Sequence, residues 1–89
     1  MMINHKKVSK ILSQVLEVEY IYISSYNVFT IINNFDIEVL SHIYDKEIIL
    51  HNQFPSTLFD FHVIFRYNKD VNKLNLTEAK QIYKRKKEK

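Results

Sequence analysis

Residues 58–67 read Leu-Phe-Asp-Phe-His-Val-Ile-Phe-Arg-Tyr, and from Phe59 onward they alternate between two kinds of side chain. The odd-numbered positions are all aromatic or aliphatic, whereas the even-numbered positions include two charged groups and a histidine. Successive side chains of a strand point to opposite faces, so this period of two predicts a strand with one face on a core. We expect the odd-numbered side chains, Phe59 to Tyr67, to face inward.

Two further runs upstream are dense in β-branched and aromatic residues, at 18–24 and 28–33. Such composition favours strands, and the short segment between the runs predicts a β-hairpin. Asn27 is expected to take the left-handed backbone conformation at this turn, in place of a glycine.

Three helices are predicted. Apolar residues recur at helical spacing over residues 5–17. A longer helix is expected over residues 37–53, with Asp36 as its N-cap and Pro55 forcing its end. A third helix is predicted over residues 78–86, capped by Thr77.

These elements predict an α+β fold with the order α-β-β-α-β-α. A helical crossover joins the second strand to the third, so these two strands should be parallel. With the first strand between them, the sheet is three-stranded and mostly antiparallel, in the order 2-1-3. The first two helices would cover one face as a two-layer sandwich. Residues 1–83 form one domain in this interpretation, and residues 84–89 form a basic, frayed tail.

The chain of 89 residues contains no glycine and no cysteine. Phosphate-binding loops and nucleophile elbows need glycine, so no nucleotide cofactor site of those types is expected. Without cysteine, disulfides and thiolate metal sites are excluded. We expect no membrane partner and a cytoplasmic location, because the apolar runs are far shorter than a membrane span. The richness in Ile, Asn, Lys, Tyr and Phe is typical of an AT-rich coding genome.

The even-numbered face of the strand over residues 58–67 is the predicted contact surface. If Ile21 and Ile23 meet the helices, the opposite face holds aromatic and charged groups: Tyr20, Tyr22, His62, Ile64 and Arg66. Small monomers rarely leave such a patch in water, so it predicts an interface. The favoured function is a non-enzymatic protein–protein interaction module that self-associates or binds another protein. The third helix or the tail could instead cover this face.

Binding of RNA or single-stranded DNA is the alternative. Residues 80–89 hold six Lys or Arg against one Glu, while the whole chain carries a net charge of +3. Bases would stack on Tyr20 and Tyr22, and phosphates would meet basic side chains, namely Arg66, Lys84, Arg85, Lys86 and Lys87. The rest of the chain is mildly acidic, which argues against this function.

A weaker hypothesis is an acid–base or metal site on the long helix. Glu47 and His51 are four residues apart and so lie on one side of the helix. A third ligand would have to come from His62 or Asp60. We favour the alternative, in which both residues are structural: Glu47 reaches solvent at the sheet edge, and His51 packs against its neighbours. No catalytic residue, metal or cofactor is therefore predicted.

Overall fold

The computed structural model of the chain describes residues 3–86. In chain order these residues form α1 (His5–Leu12), β1 (Tyr20–Ser24), β2 (Asn27–Ile32), α2 (Ile37–Gln53), β3 (Asp60–Phe65), a 3₁₀ turn (Val71–Lys73) and β4 (Lys80–Lys84). The protein is α+β, as predicted, but its sheet is mixed and has four strands rather than three.

Both helices begin at side-chain caps that the sequence offers. Asp36 accepts hydrogen bonds from the backbone N–H groups of Glu38 and Val39, at 2.9 and 3.3 Å. The predicted bounds of α2 are therefore confirmed, and the helix ends just before Pro55. In α1, Asn4 accepts from the N–H of Lys7 at 3.1 Å. This helix is shorter than predicted, because the chain turns after Leu12.

The strand order is β3-β2-β1-β4, so the predicted order 2-1-3 is wrong. The strands β1 and β2 pair as an antiparallel hairpin, and β2 and β3 are parallel, both as expected. However, β3 adds to the free side of β2 instead of the free side of β1. This arrangement leaves β1 available to β4, which pairs with it antiparallel.

The predicted third helix is wrong, because residues 80–84 form β4. Ile21 of β1 pairs with Tyr83, but the next residue, Tyr22, pairs with Gln81. Ile82 is therefore left without a partner on β1 and forms a β-bulge. This bulge allows two neighbouring side chains, Ile82 and Tyr83, both to pack against the core. The predicted tail begins at residue 84, but Lys84 is the last residue of β4. Residues 85 and 86 are also described by the structure, whereas residues 87–89 lie outside the described residues.

The hairpin turn also differs from expectation. Ser25, not Asn27, takes the left-handed conformation, with φ of 55°. Asn27 is the first residue of β2, and its side-chain amide donates to the carbonyl oxygen of Ser24 at 3.2 Å. The polar side chain therefore supports the turn through a hydrogen bond rather than through its own backbone conformation.

The core lies between the helices and one face of the sheet. Its buried side chains come from both helices, the segment after α1 and the first two strands; they include Val8, Leu12, Val18, Ile21, Val28, Ile43 and Leu50. Register places Phe61 beside Val28, Val63 beside Thr30, and Phe65 beside Ile32 on this inner face. The predicted inward orientation is confirmed for Phe59, Phe61, Val63 and Phe65, which pack against the core. It is wrong for Tyr67, which lies beyond the end of β3 in a left-handed conformation and is exposed.

The outer face of the sheet is crossed by the chain's own connection from β3 to β4. Ile31 lies on this face and is nevertheless fully buried. Ser24 and Phe29 line a small cleft together with residues 75–79. Arg66 also donates to the carbonyl oxygen of Lys69 at 3.1 Å. Part of the face that the sequence suggested as free is thus covered within one chain, by a loop instead of by a helix.

Candidate functional site

Two groups of aromatic rings lie along the inner face of β3, one at each end of the strand. Phe59 stacks on Phe61 with ring centroids 5.0 Å apart. At the other end, Phe65 lies edge-on to Phe35 at 5.6 Å and 5.9 Å from Tyr67. These rings are not sealed by α2: Phe59, Phe61 and Phe65 are only half-buried, and Phe35 and Tyr67 are exposed.

One side of α2 continues this apolar area. Tyr44 and Ile48 are one helical turn apart and are 50% and 56% exposed. His51 lies one further turn along and places its ring edge-on to Phe59 and Phe61, at 5.8 and 5.2 Å. The helix and the strand thereby present one surface, which we call the aromatic surface: Phe35, Tyr44, Ile48, His51, Phe59, Phe61, Phe65 and Tyr67.

Glu47 lies beside the aromatic surface, one turn from both Tyr44 and His51. Its side chain is half-buried, and its Oε2 atom is buried with no hydrogen-bond partner within residues 3–86. Burial raises the pKa of Glu47 from 4.5 to about 7. A carboxylate in an apolar setting loses hydration that nothing replaces, so the protonated form is favoured.

The third ligand suggested for a metal site is not brought to Glu47 and His51. Glu47 and His51 belong to the inner side of the sheet, whereas His62 and Asp60 lie on the outer face. Their side chains interact with each other there, with 3.4 Å between His62 Nε2 and Asp60 Oδ2. Within residues 3–86 no group of three or more His, Asp or Glu side chains is placed to hold a metal ion.

The five predicted interface residues do share the outer face. Tyr22, Phe29 and His62 form one row across the strands, and Tyr20, Ile31 and Ile64 form the next. The ring of His62 stacks on Phe29 at 5.0 Å, and Tyr22 donates to the side chain of Gln81 at 3.0 Å. Tyr22 and His62 are thus already engaged in contacts within the chain.

Three of the basic residues of the nucleic-acid alternative, Arg66, Arg85 and Lys86, line one groove together with Tyr20, but both arginines bond to partners within the chain. The Arg66 guanidinium donates to Glu19 through Nε at 2.5 Å and Nη2 at 3.3 Å. The Arg85 guanidinium donates to three backbone carbonyls, those of Ser13, Val15 and Val18, at 2.7–3.3 Å. Lys84 and Lys86 are exposed, and Lys87 lies outside the described residues.

Sequence reasoning missed a groove of about 640 Å³ between the start of β1, the end of β3 and the chain end. Acidic and basic side chains both line it, among them Glu19, Asp70, Arg66 and Arg85. Both arginines bond to partners within the chain, whereas Lys86, which also lines the groove, is exposed. The aromatic surface was also missed, because the odd-numbered rings of β3 were expected to be fully covered by α2.

Within residues 3–86 no helix has both the length and the apolar character needed to cross a membrane. Comparisons of the chain with protein-family models, with curated proteins and with solved structures found no match.

Proposed function

We propose that this protein is a non-enzymatic interaction module that associates with a second copy of itself through the aromatic surface. The observation that supports this proposal is the incomplete cover over β3. Its inner-face rings contact the core on one side and solvent on the other, and exposed Tyr44 and Ile48 extend the same area along α2. Contiguous apolar areas of this kind mark contact sites in small soluble domains.

The composition of the surface favours an interface rather than a solvated face. It is rich in Phe and Tyr and contains no Lys or Arg. Aromatic enrichment and depletion of charge distinguish the centres of protein interfaces from the rest of a surface. A chain of 89 residues also buries a smaller fraction of its surface than a larger domain, so association adds a substantial share of the total burial.

A second copy is the partner that best fits this surface. A two-fold contact uses the same patch on both copies, so a patch that carries charge of a single sign meets charge of the same sign. Glu47 is a half-buried acidic group beside the surface, and its raised pKa lets it enter such a contact as a neutral acid. We also place this association in the cytoplasm, because a cysteine-free chain of this size lacks the disulfides typical of small extracellular domains.

The test uses two matched substitutions of exposed aliphatic residues. Ile48→Glu introduces a charge into the aromatic surface, whereas Leu16→Glu introduces the same charge elsewhere on the surface. Sedimentation equilibrium should give a dimer for the wild type and for Leu16→Glu, and a monomer for Ile48→Glu. A monomeric wild type, or equal masses for both variants, would refute the proposal. Nucleic-acid binding that weakens steeply with salt would instead favour the alternative.

A further inference from the structure

We infer that, if the protein self-associates as proposed above, the two copies join along the open edge of β3. The two β3 strands would pair antiparallel about a two-fold axis at Val63. The two four-stranded sheets would then form one continuous sheet, with both aromatic surfaces meeting on its inner side.

The backbone of β3 is prepared for such pairing. Asp60 and Arg66 donate their N–H groups toward β2, to the carbonyls of Tyr26 and Ile32, each at 2.9 Å. In a parallel pair, alternate residues of a strand bond to the same neighbour, so His62 and Ile64 also face β2. The N–H and C=O groups of residues 61, 63 and 65 therefore point away from β2. Within residues 3–86, no strand lies on that side of β3.

The two edges of the sheet are protected to different degrees. Lysine at an edge discourages pairing with another chain, and so does a β-bulge. The edge strand β4 has Lys80 and Lys84 at its ends and a bulge against β1. The other edge strand, β3, reads Asp-Phe-His-Val-Ile-Phe, with no lysine or proline and a regular register against β2. The asymmetry indicates that β3 is the edge left available for pairing.

The residues flanking Val63 are self-complementary in the antiparallel direction. An axis at Val63 places Phe61 opposite Phe65 of the second copy and Asp60 opposite its Arg66. Rings then meet rings on the inner face, and opposite charges meet on the outer face. The Arg66 guanidinium already pairs with Glu19 of its own chain. Asp60 of the second copy would therefore be a second carboxylate near this guanidinium and would not displace Glu19.

Shifting the axis by one residue removes this match. An axis at His62 places Asp60 opposite Ile64 and puts the two His62 rings opposite each other. An axis at Ile64 places His62 opposite Arg66, which becomes unfavourable when the histidine is protonated. Neither alternative pairs a positive with a negative side chain on the outer face.

The test exploits the absence of native cysteine, because each single-cysteine variant then carries one thiol. Each position of the two-fold axis is tested by one variant: Val63→Cys, His62→Cys or Ile64→Cys. Only a residue on the axis lies opposite the same residue of the second copy, so only that variant can form a disulfide with itself. Directly opposed Cα atoms lie about 4.5–5.5 Å apart in an antiparallel pair, which a disulfide can span. Gln81→Cys on the exposed face of β4 is the control.

We expect Val63→Cys to form covalent dimers under mild oxidation at least about tenfold faster than Gln81→Cys, because strand pairing holds the two thiols together. An equal mixture of His62→Cys and Ile64→Cys should cross-link between the two variants, while each alone should not. Cross-linking of His62→Cys or Ile64→Cys alone would overturn the register. A wild type that is dimeric by mass, with no β3 variant cross-linking, would overturn the inference but leave the proposed function standing.

Discussion

The imidazole of His51 on α2 stands at 90° to the ring of Phe61 on β3, with the two centroids 5.2 Å apart. The edge of one ring thus meets the face of the other, the arrangement that aromatic pairs prefer. This contact joins the helix to the edge strand within the aromatic surface.

Replacing His51 with alanine should weaken folding slightly and association more. The substitution removes the ring contacts to Phe59 and Phe61, which should lower the free energy of unfolding by about 0.5–1.5 kcal/mol. Urea titration at fixed protein concentration measures that loss, and sedimentation measures the dimer. His42→Ala, on an exposed position of the same helix, is the control and should change neither. An effect of the same size in both variants would contradict the assigned role.

Glu47 should make the protein less stable as the pH rises from about 4.5 to about 7. Burial raises the folded-state pKa to about 7, so between these values the folded protein holds a proton that the unfolded chain has lost. The stabilisation is complete below pH 4.5 and is lost as the pH passes through 7. We expect the free energy of unfolding to fall by about 1–2 kcal/mol over this pH range. This is less than the full pKa shift of Glu47 implies, because solvent screens a half-buried group.

Glu47→Gln should remove this slope, whereas Glu78→Gln, at an exposed position, should retain it. Chemical denaturation at several pH values between 4 and 8 provides the comparison. A wild-type stability that increases over the same interval, or a slope that survives in Glu47→Gln, would show that the carboxyl group is not desolvated as described.

Thr30→Val should stabilise the protein. Thr30 is fully buried on the inner face, and its hydroxyl has no hydrogen-bond partner within residues 3–86. Valine has the same shape and removes the unsatisfied hydroxyl, which should raise the free energy of unfolding by about 1 kcal/mol. Thr30→Ser retains the hydroxyl, loses the methyl group and should be destabilising. Thermal unfolding of the three proteins checks this order, and a Val variant less stable than the wild type would contradict it.

Arg85→Ala should be clearly destabilising although the residue lies in a Lys-rich segment. Its guanidinium donates to the carbonyls of Ser13, Val15 and Val18, so it holds the turns after α1 against β4. Loss of these charged hydrogen bonds should cost about 2–3 kcal/mol, although the carbonyl of Val15 still accepts from the N–H of Val18. Lys86→Ala, next in the chain and exposed, should stay within about 0.5 kcal/mol of the wild type. Equal effects in urea titrations would show that Arg85 is merely solvated.

Elements with strong local signals were predictable from the sequence. The alternation from Phe59 to Tyr67 indicated β3 and the direction of its side chains, and Asp36 and Pro55 bounded α2. These features depend on neighbouring residues alone. The turn at Ser25 was mispredicted because the hydrogen-bonding role of Asn27 outweighs the backbone preference of asparagine.

Features that depend on distant contacts were not predictable. Residues 80–84 contain only two apolar side chains, adjacent in sequence, which fit neither a regular strand nor a helix; pairing with β1 and the bulge decide their structure. The position of β3 beside β2 follows from the same competition for strand edges. The edge position of β3 determines the candidate site, because α2 leaves the aromatic side chains on the inner face of this strand only half-covered.

The molecular mass of the wild-type chain in solution, measured over a wide range of concentrations, tests the central claim most directly. One chain has a mass of 10.8 kDa. We predict that the mass rises with concentration to twice this value and stops there, since a two-fold contact closes on itself. A mass that remains at 10.8 kDa across the range would contradict self-association through the aromatic surface.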